Sequence, residues 1–150
     1  MTHYFAYGSN MDPKQMASRC PGAVALGRAR LADYELAFVW DSPGWGGGVA
    51  TVIPSSSREV WGVLWDLTDE HVEALDRYEG VAIGAYSRAH IDVETDEGLV
   101  NALIYLATDT RNKQPSTRYV DALIRGAKAF GLPNDYIEQL RAARDSTTFE

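Results

Sequence analysis

Thiols, imidazoles and clustered positive charge are all scarce in this sequence. One cysteine, Cys20, stands in 150 residues, which excludes an internal disulfide and any multi-thiolate metal site. With no disulfide to protect, a reducing, cytoplasmic location is the expectation. Histidine is nearly as rare, with His3, His71 and His90 the whole supply. Asp and Glu outnumber Lys and Arg by 21 to 14, for a net charge of -7. No Lys/Arg cluster is present to meet a phosphate backbone, so nucleic acid is not an expected partner. No apolar run approaches the roughly 20 residues that a membrane helix needs. The opening Met1-Thr2-His3-Tyr4-Phe5 also lacks the basic and apolar regions of a signal peptide, so neither a membrane nor a leader is expected.

What is present has the profile of an ordinary globular domain, with 45% hydrophobic and 23% charged residues. Nothing repeats and no linker divides the chain, so residues 1–150 read as one domain with a polar, flexible tail after about residue 144. The run His3 to Tyr7 reads as a buried strand. Asp12-Pro13 with Gln15 marks a helix start: an N-cap, a proline at the first helical position and a Gln at N3. A short helix to about Arg19 follows. Ala25 to Val39 is strand-like, as one element or two. Ser42-Pro43-Gly44-Trp45-Gly46-Gly47-Gly48 reads as a loop, because three consecutive glycines hold regular structure at a cost. Val49 to Ile53 and Val60 to Leu67 are strands, separated by Pro54-Ser55-Ser56-Ser57. Thr68 caps a helix reaching Tyr78 and stopped by Gly80. Tyr86 to Val93 and Val100 to Ala107 are further strands. Ser116 then caps a helix with Tyr119, Val120, Leu123, Ile124 and Ala127 at helical spacing, and a last helix follows Gly131-Leu132-Pro133. The order of about seven strands and four helices predicts an α+β fold with a mixed or antiparallel sheet.

Two positions break local rules. Val72 and Leu75 form the apolar stripe of the helix before Gly80, and four residues on from Leu75 the stripe reaches Glu79. That carboxylate faces the core side and sits at a helix C-terminus, where the macrodipole disfavours it by about 0.3–1 kcal/mol. Both effects raise its pKa, burial the more strongly. The bland alternative is a frayed helix end, with Glu79 in solvent or paired to Arg77 or Arg88. The turn Gly8-Ser9-Asn10, between a strand end and a helix start, directs small residues and several backbone N–H groups into one concave space. Such a nest binds carboxylate or phosphate oxygens. It lacks the Gly-Lys-Ser/Thr ending of a phosphate-binding P-loop, and an ordinary turn is the alternative.

Read together, the segments resemble a known family. Tyr4-Phe5-Ala6-Tyr7-Gly8-Ser9-Asn10-Met11 is similar to the opening of the γ-glutamylcyclotransferase-like family. Leu75-Asp76-Arg77-Tyr78-Glu79-Gly80-Val81-Ala82-Ile83-Gly84-Ala85-Tyr86 resembles that family's acid-bearing segment. Trp45, Gly47-Gly48-Val49-Ala50-Thr51, Val60-Trp61-Gly62-Val63, Pro115-Ser116, Tyr119, Gly126-Ala127, Gly131-Leu132-Pro133 and Tyr136 fall in matching order. The resemblance implies a small β-barrel flanked by helices, with a cavity at its mouth. It implies substrate binding by Tyr7, Gly8, Ser9 and Asn10, general acid/base duty for Glu79, and a Tyr119 near the pocket. Tyr86 and Arg88, just past the acid's motif, are further nominees. No metal or cofactor is implied. The expected partner is a small γ-glutamyl amide, with a homodimer as the compatible assembly.

The reaction so implied closes the α-amine of a γ-glutamyl amide onto its own γ-carbonyl, releasing 5-oxoproline and an amine or amino acid. Two rivals stay open. One is an amidase or acyltransferase with Ser9 as nucleophile, which needs a base from His3, His71 or His90. The other is a binding module that keeps the pocket without turnover. Trp40, Trp61 and Trp65 read as core or rim packing, and Trp45 as a lid over the pocket.

Overall fold

The computed structural model describes residues 1–146 of the chain. Its centre is a closed barrel of five strands in the order β1-β3-β2-β4-β5, with β1 Thr2–Ala6, β2 Val24–Ser42, β3 Gly47–Leu67, β4 Tyr86–Thr95 and β5 Gly98–Ala107. Neighbours pair antiparallel except at the seam, where β1 meets β5 in parallel at Tyr4 opposite Leu103. The helices are α1 Pro13–Arg19, α2 Asp69–Tyr78, α3 Thr117–Ala129 and α4 Asn134–Ser146. No helix among the described residues is long and apolar enough to cross a membrane.

Five strands replace the seven expected because β2 and β3 form one long hairpin, in which the anticipated breaks are absorbed as irregularities. Ala32 pairs with Glu59 and Tyr34 with Pro54, so residues 55–58 bulge out opposite Asp33. Ser57 takes a left-handed φ of 66° there, and its N–H donates to Asp33 Oδ1 at 3.2 Å. The polar Pro-Ser-Ser-Ser run kinks a strand rather than ending it. Gly47 and Gly48, expected in a loop, instead open β3 opposite Ser42 and Asp41. Their lack of side chains serves close approach: a β-carbon on Gly47 would lie 2.6 Å from the Gln114 carbonyl oxygen. The polar tail expected after Arg144 is helical through Ser146, and the rest of that expectation lies outside the described residues.

The helix starts are as the capping residues direct. Asp12 Oδ1 accepts the Lys14 N–H at 3.1 Å, and Thr68 Oγ1 accepts the His71 N–H at 3.2 Å. Gly80, at φ 64°, ends α2. Phe5, Val63, Leu75, Ile104 and Leu123 are fully buried, tying barrel, α2 and α3 into one core. Helix α3 lies so close to the segment after β1 that a β-carbon on Gly126 would stand 2.5 Å from Met11. That contact fixes the turn from which the cavity is built.

Candidate active site

Tyr7 follows the last residue of β1, and its hydroxyl donates to the Tyr105 carbonyl across the barrel seam. The chain then makes a 3-10 turn, Ser9–Met11. The N–H groups of Met11 and Asp12 donate to the carbonyls of Gly8 and Ser9, each at 3.0 Å. Among the described residues, the amides of Gly8 and Asn10 meet no backbone acceptor outside regular elements, and the Ser9 amide bears on the Tyr119 hydroxyl. These are the donors a nest requires. Side chains brace the turn from behind. Gln15 Nε2 donates to Ser9 Oγ at 3.1 Å, Asn10 Nδ2 to the Tyr4 hydroxyl at 3.0 Å, and Arg19 Nη1 to Asn10 Oδ1 at 3.0 Å.

Opposite the turn, Ala50 of β3 is held by two tyrosines. Its N–H donates to the Tyr119 hydroxyl at 2.8 Å, and its carbonyl accepts from the Tyr86 hydroxyl at 2.6 Å. Trp45 stands edge-on to Tyr119, ring centroids 5.1 Å apart, with the Arg118 guanidinium 4.7 Å over the indole. Trp45 is thus packed into the cavity wall, and the hairpin arm carrying it is pinned where the Gly48 N–H meets the Gln114 carbonyl at 2.8 Å.

Glu79 caps the C-terminus of α2, its N–H donating to the Leu75 carbonyl at 2.8 Å. The side chain continues the Val72–Leu75 face into a cavity of about 240 Å³. Tyr7, Gly8, Ser9, Asn10, Tyr86 and Tyr119 line the same cavity. The Glu79 carboxyl accepts no hydrogen bond from a described residue. Burial pushes its pKa up from the ordinary 4.5 to about 7, against a downward pull from Arg19. Burial likewise raises Tyr4, Tyr7, Tyr86 and Tyr119 well above the usual tyrosine range. The cavity therefore holds one poised acid, a ring of neutral hydroxyls and backbone amides.

Arg88 is not part of it. Its guanidinium pairs with Asp76, Nε to Oδ1 at 2.9 Å, on an exposed flank. The three histidines are also elsewhere. His71 is spent on the α2 cap and the Pro21 carbonyl, 2.7 Å away, while His3 and His90 are exposed strand residues. None lines the cavity, so Ser9 has no imidazole base. Sequence reasoning missed Tyr4, Arg19 and Tyr105, all on the cavity wall, and Trp40, read as core or rim packing, also lines the cavity. Tyr4 and Tyr105 meet only through the parallel seam, with ring centroids 5.8 Å apart, and nothing local marks that closure. Trp40 turns to the rim at a bulge between Val39 and Asp41, with φ 53°.

Comparison with known proteins adds a separate line of support. Residues 59–140 match the AIG2-like family, a span that holds Glu79, Tyr86 and Tyr119. Over 144 residues the chain is 40% identical to the γ-glutamylcyclotransferase of Mus musculus, covering 93% of this chain and 77% of that protein. The Homo sapiens protein of the same name is 39% identical over 145 residues, with the same coverage of 93% and 77%. A solved γ-glutamyl cyclotransferase structure, 38% identical, superposes with a TM-score of 0.90 over 94% of this chain and 86% of that one.

Proposed function

The chain belongs to the AIG2-like family and to the γ-glutamylcyclotransferases within it, and from that premise we propose that its cavity converts a γ-glutamyl amide to 5-oxoproline and a free amine, with Glu79 moving the protons. The observation that carries the residue assignment is an acid with a pKa of about 7 in the same cavity as the amide-lined Gly8–Asn10 turn. A general acid/base works best when its pKa lies near the operating pH, because both protonation states are then accessible.

The substrate brings its own nucleophile. Bound with its chain curled, it offers the α-nitrogen to the γ-carbonyl, and holding this near-attack shape accounts for much of the rate. Glu79 takes a proton from the α-ammonium. The nitrogen lone pair attacks the γ-carbon, closing a five-membered ring and placing negative charge on the carbonyl oxygen. Backbone N–H groups of the Gly8–Asn10 turn are suited to receive either that charge or the substrate's α-carboxylate. Glu79 then gives its proton to the leaving nitrogen as the old C–N bond breaks. The cavity, about 240 Å³, lies below the usual range of roughly 300–1,000 Å³ for small-molecule pockets. That size suits a γ-glutamyl group inside and a leaving group at the mouth. A cytoplasmic location and a homodimer go with this reading.

Glu79→Gln is expected to retain the fold and to lower 5-oxoproline release by about 10²–10⁴-fold, measured across a panel of γ-glutamyl amides. Near-wild-type turnover by that variant would remove Glu79 from the mechanism. Ser9→Ala is expected to raise KM more than it lowers kcat, whereas a serine nucleophile requires loss of all turnover and a trappable acyl-enzyme.

A further inference from the structure

Arg19 is the last residue of α1, half-buried, and it reaches the cavity wall. Its guanidinium is fixed from two sides. Nη1 donates to Asn10 Oδ1 at 3.0 Å, and Cζ stands 4.6 Å over the Tyr78 ring. Both partners are neutral. Most other arginines meet carboxylates, as Arg30 meets Glu59 at 2.6 Å and Arg125 meets Asp12 at 3.2 Å, while Arg118 meets the Gly44 carbonyl and the Trp45 ring. Arg19 has no carboxylate within ion-pair distance among the described residues. A guanidinium has five N–H donors, and one goes to Asn10. A cation positioned this firmly, desolvated in part and acting on Glu79 only from beyond ion-pair distance, fits a carboxylate that arrives with the ligand.

The mechanism above already uses the other charge in the cavity. A γ-glutamyl group carries an ammonium and a carboxylate on one carbon, and Glu79 faces the ammonium. Arg77, the remaining lining cation, is exposed at the rim, whereas Arg19 is braced against the Gly8–Asn10 turn. Resting on the cyclotransferase reading, we propose that Arg19 anchors the α-carboxylate of the γ-glutamyl group, which leaves the Gly8 and Asn10 amides to the developing oxyanion. The zwitterionic head would then be gripped at both ends, and the α-nitrogen turned toward the γ-carbonyl.

The test compares wild type, Arg19→Gln and Arg19→Lys on three amides. γ-Glutamyl-L-alanine has both carboxylates, γ-glutamyl ethylamide has only the α-carboxylate, and 4-aminobutyryl-L-alanine has only the leaving-group carboxylate but still cyclises, to 2-pyrrolidinone. Arg19→Gln is expected to raise KM on the order of 10–100-fold for both γ-glutamyl substrates, the worth of a hydrogen-bonded charge. The 4-aminobutyryl substrate should change by less than about 3-fold, and Arg19→Lys should fall between, having charge without the fork. An equal loss on all three substrates would mean that Arg19 only braces Asn10 and would overturn the proposal. So would a loss confined to the two alanine amides, which would assign Arg19 to the leaving group, or no loss at all. Calorimetry with 5-oxoproline and 2-pyrrolidinone separates this question from turnover. Wild type should prefer the carboxylated lactam and Arg19→Gln should lose that preference, even in the event that no γ-glutamyl amide is turned over. Equal preference in the two proteins overturns the assignment.

Discussion

A β-carbon placed on Gly8 would lie 3.0 Å from the hydroxyl oxygen of Tyr119. That oxygen cannot simply retreat, because it already receives the Ala50 N–H at 2.8 Å and the Ser9 amide also bears on it. The backbone at Gly8 has φ -111°, so alanine meets a steric obstacle rather than a conformational one. Gly8→Ala is therefore expected to shift the Tyr119 hydroxyl by a few tenths of an ångström and to reshape the cavity floor. The predicted outcome is a kcat/KM lower by roughly 10-fold with little change in Tm. Unchanged kinetics would show that neither Tyr119 nor the turn needs its present position.

The two tyrosines on Ala50 give a second test. Tyr119→Phe leaves the Ala50 N–H without its acceptor, and Tyr86→Phe leaves the Ala50 carbonyl without its 2.6 Å donor. Both tyrosines are buried, so each change is expected to cost about 1–3 kcal/mol in denaturant unfolding. The double variant should depart from additivity, because both hydroxyls fix the same strand segment. Strict additivity would mean that the two hydroxyls act independently.

Gly126→Ala sets helix propensity against packing. Alanine in a helix interior is favoured over glycine by about 1 kcal/mol. Here its β-carbon would stand 2.5 Å from both the backbone and the Cβ of Met11, and overpacking of that kind costs about 1–3 kcal/mol or more. The net effect is expected to be destabilising, with activity falling as well, since Met11 ends the turn that holds Ser9 and Asn10. A higher Tm would show that α3 stands farther from the turn than the structure has it.

The parts of this fold legible in sequence were those whose cause is local. Asp12, Thr68 and Ser116 each cap the helix they announce, and the Val72, Leu75, Glu79 spacing correctly aimed the acid at the interior. Strand number was misread because Pro54–Ser57 looks like a terminator, whereas a four-residue bulge lets one strand run on through it. Gly47 and Gly48 misled for a related reason: they are small to admit the backbone of residues 113–116, which is far away in the chain. The same limit applies to the cavity. Gly8, Ser9 and Asn10 announce themselves as a turn, but Arg19 enters through its bond to Asn10, and Tyr105 through a parallel seam that only the closed barrel creates. Arg88 lay near the acid in sequence, yet Asp76 holds it on the outer flank.

The raised pKa of Glu79 has a sign that can be measured. Its carboxyl sits at about 7 against an ordinary 4.5, chiefly through burial. The titratable groups facing it are Tyr4 from β1, Tyr7 beyond it, Tyr86 from β4, Tyr119 from α3 and Arg19 from α1. The tyrosines are all shifted upward and stay neutral, so among these groups Glu79 alone changes charge between pH 4.5 and 7. In that window the native protein binds more protons than the unfolded chain, so its stability falls as pH rises. The penalty is absent below the unfolded pKa and complete above the folded one. Glu79→Gln removes it. The variant should be more stable than wild type at pH 8 by about 1–3 kcal/mol, an advantage that shrinks to nothing by about pH 4. Wild-type kcat/KM, which requires the carboxylate as base, should rise with pH through an apparent pKa near 7. A stability gain of equal size at both pH values would trace to packing, and a kinetic pKa near that of an exposed glutamate would place the carboxyl in water.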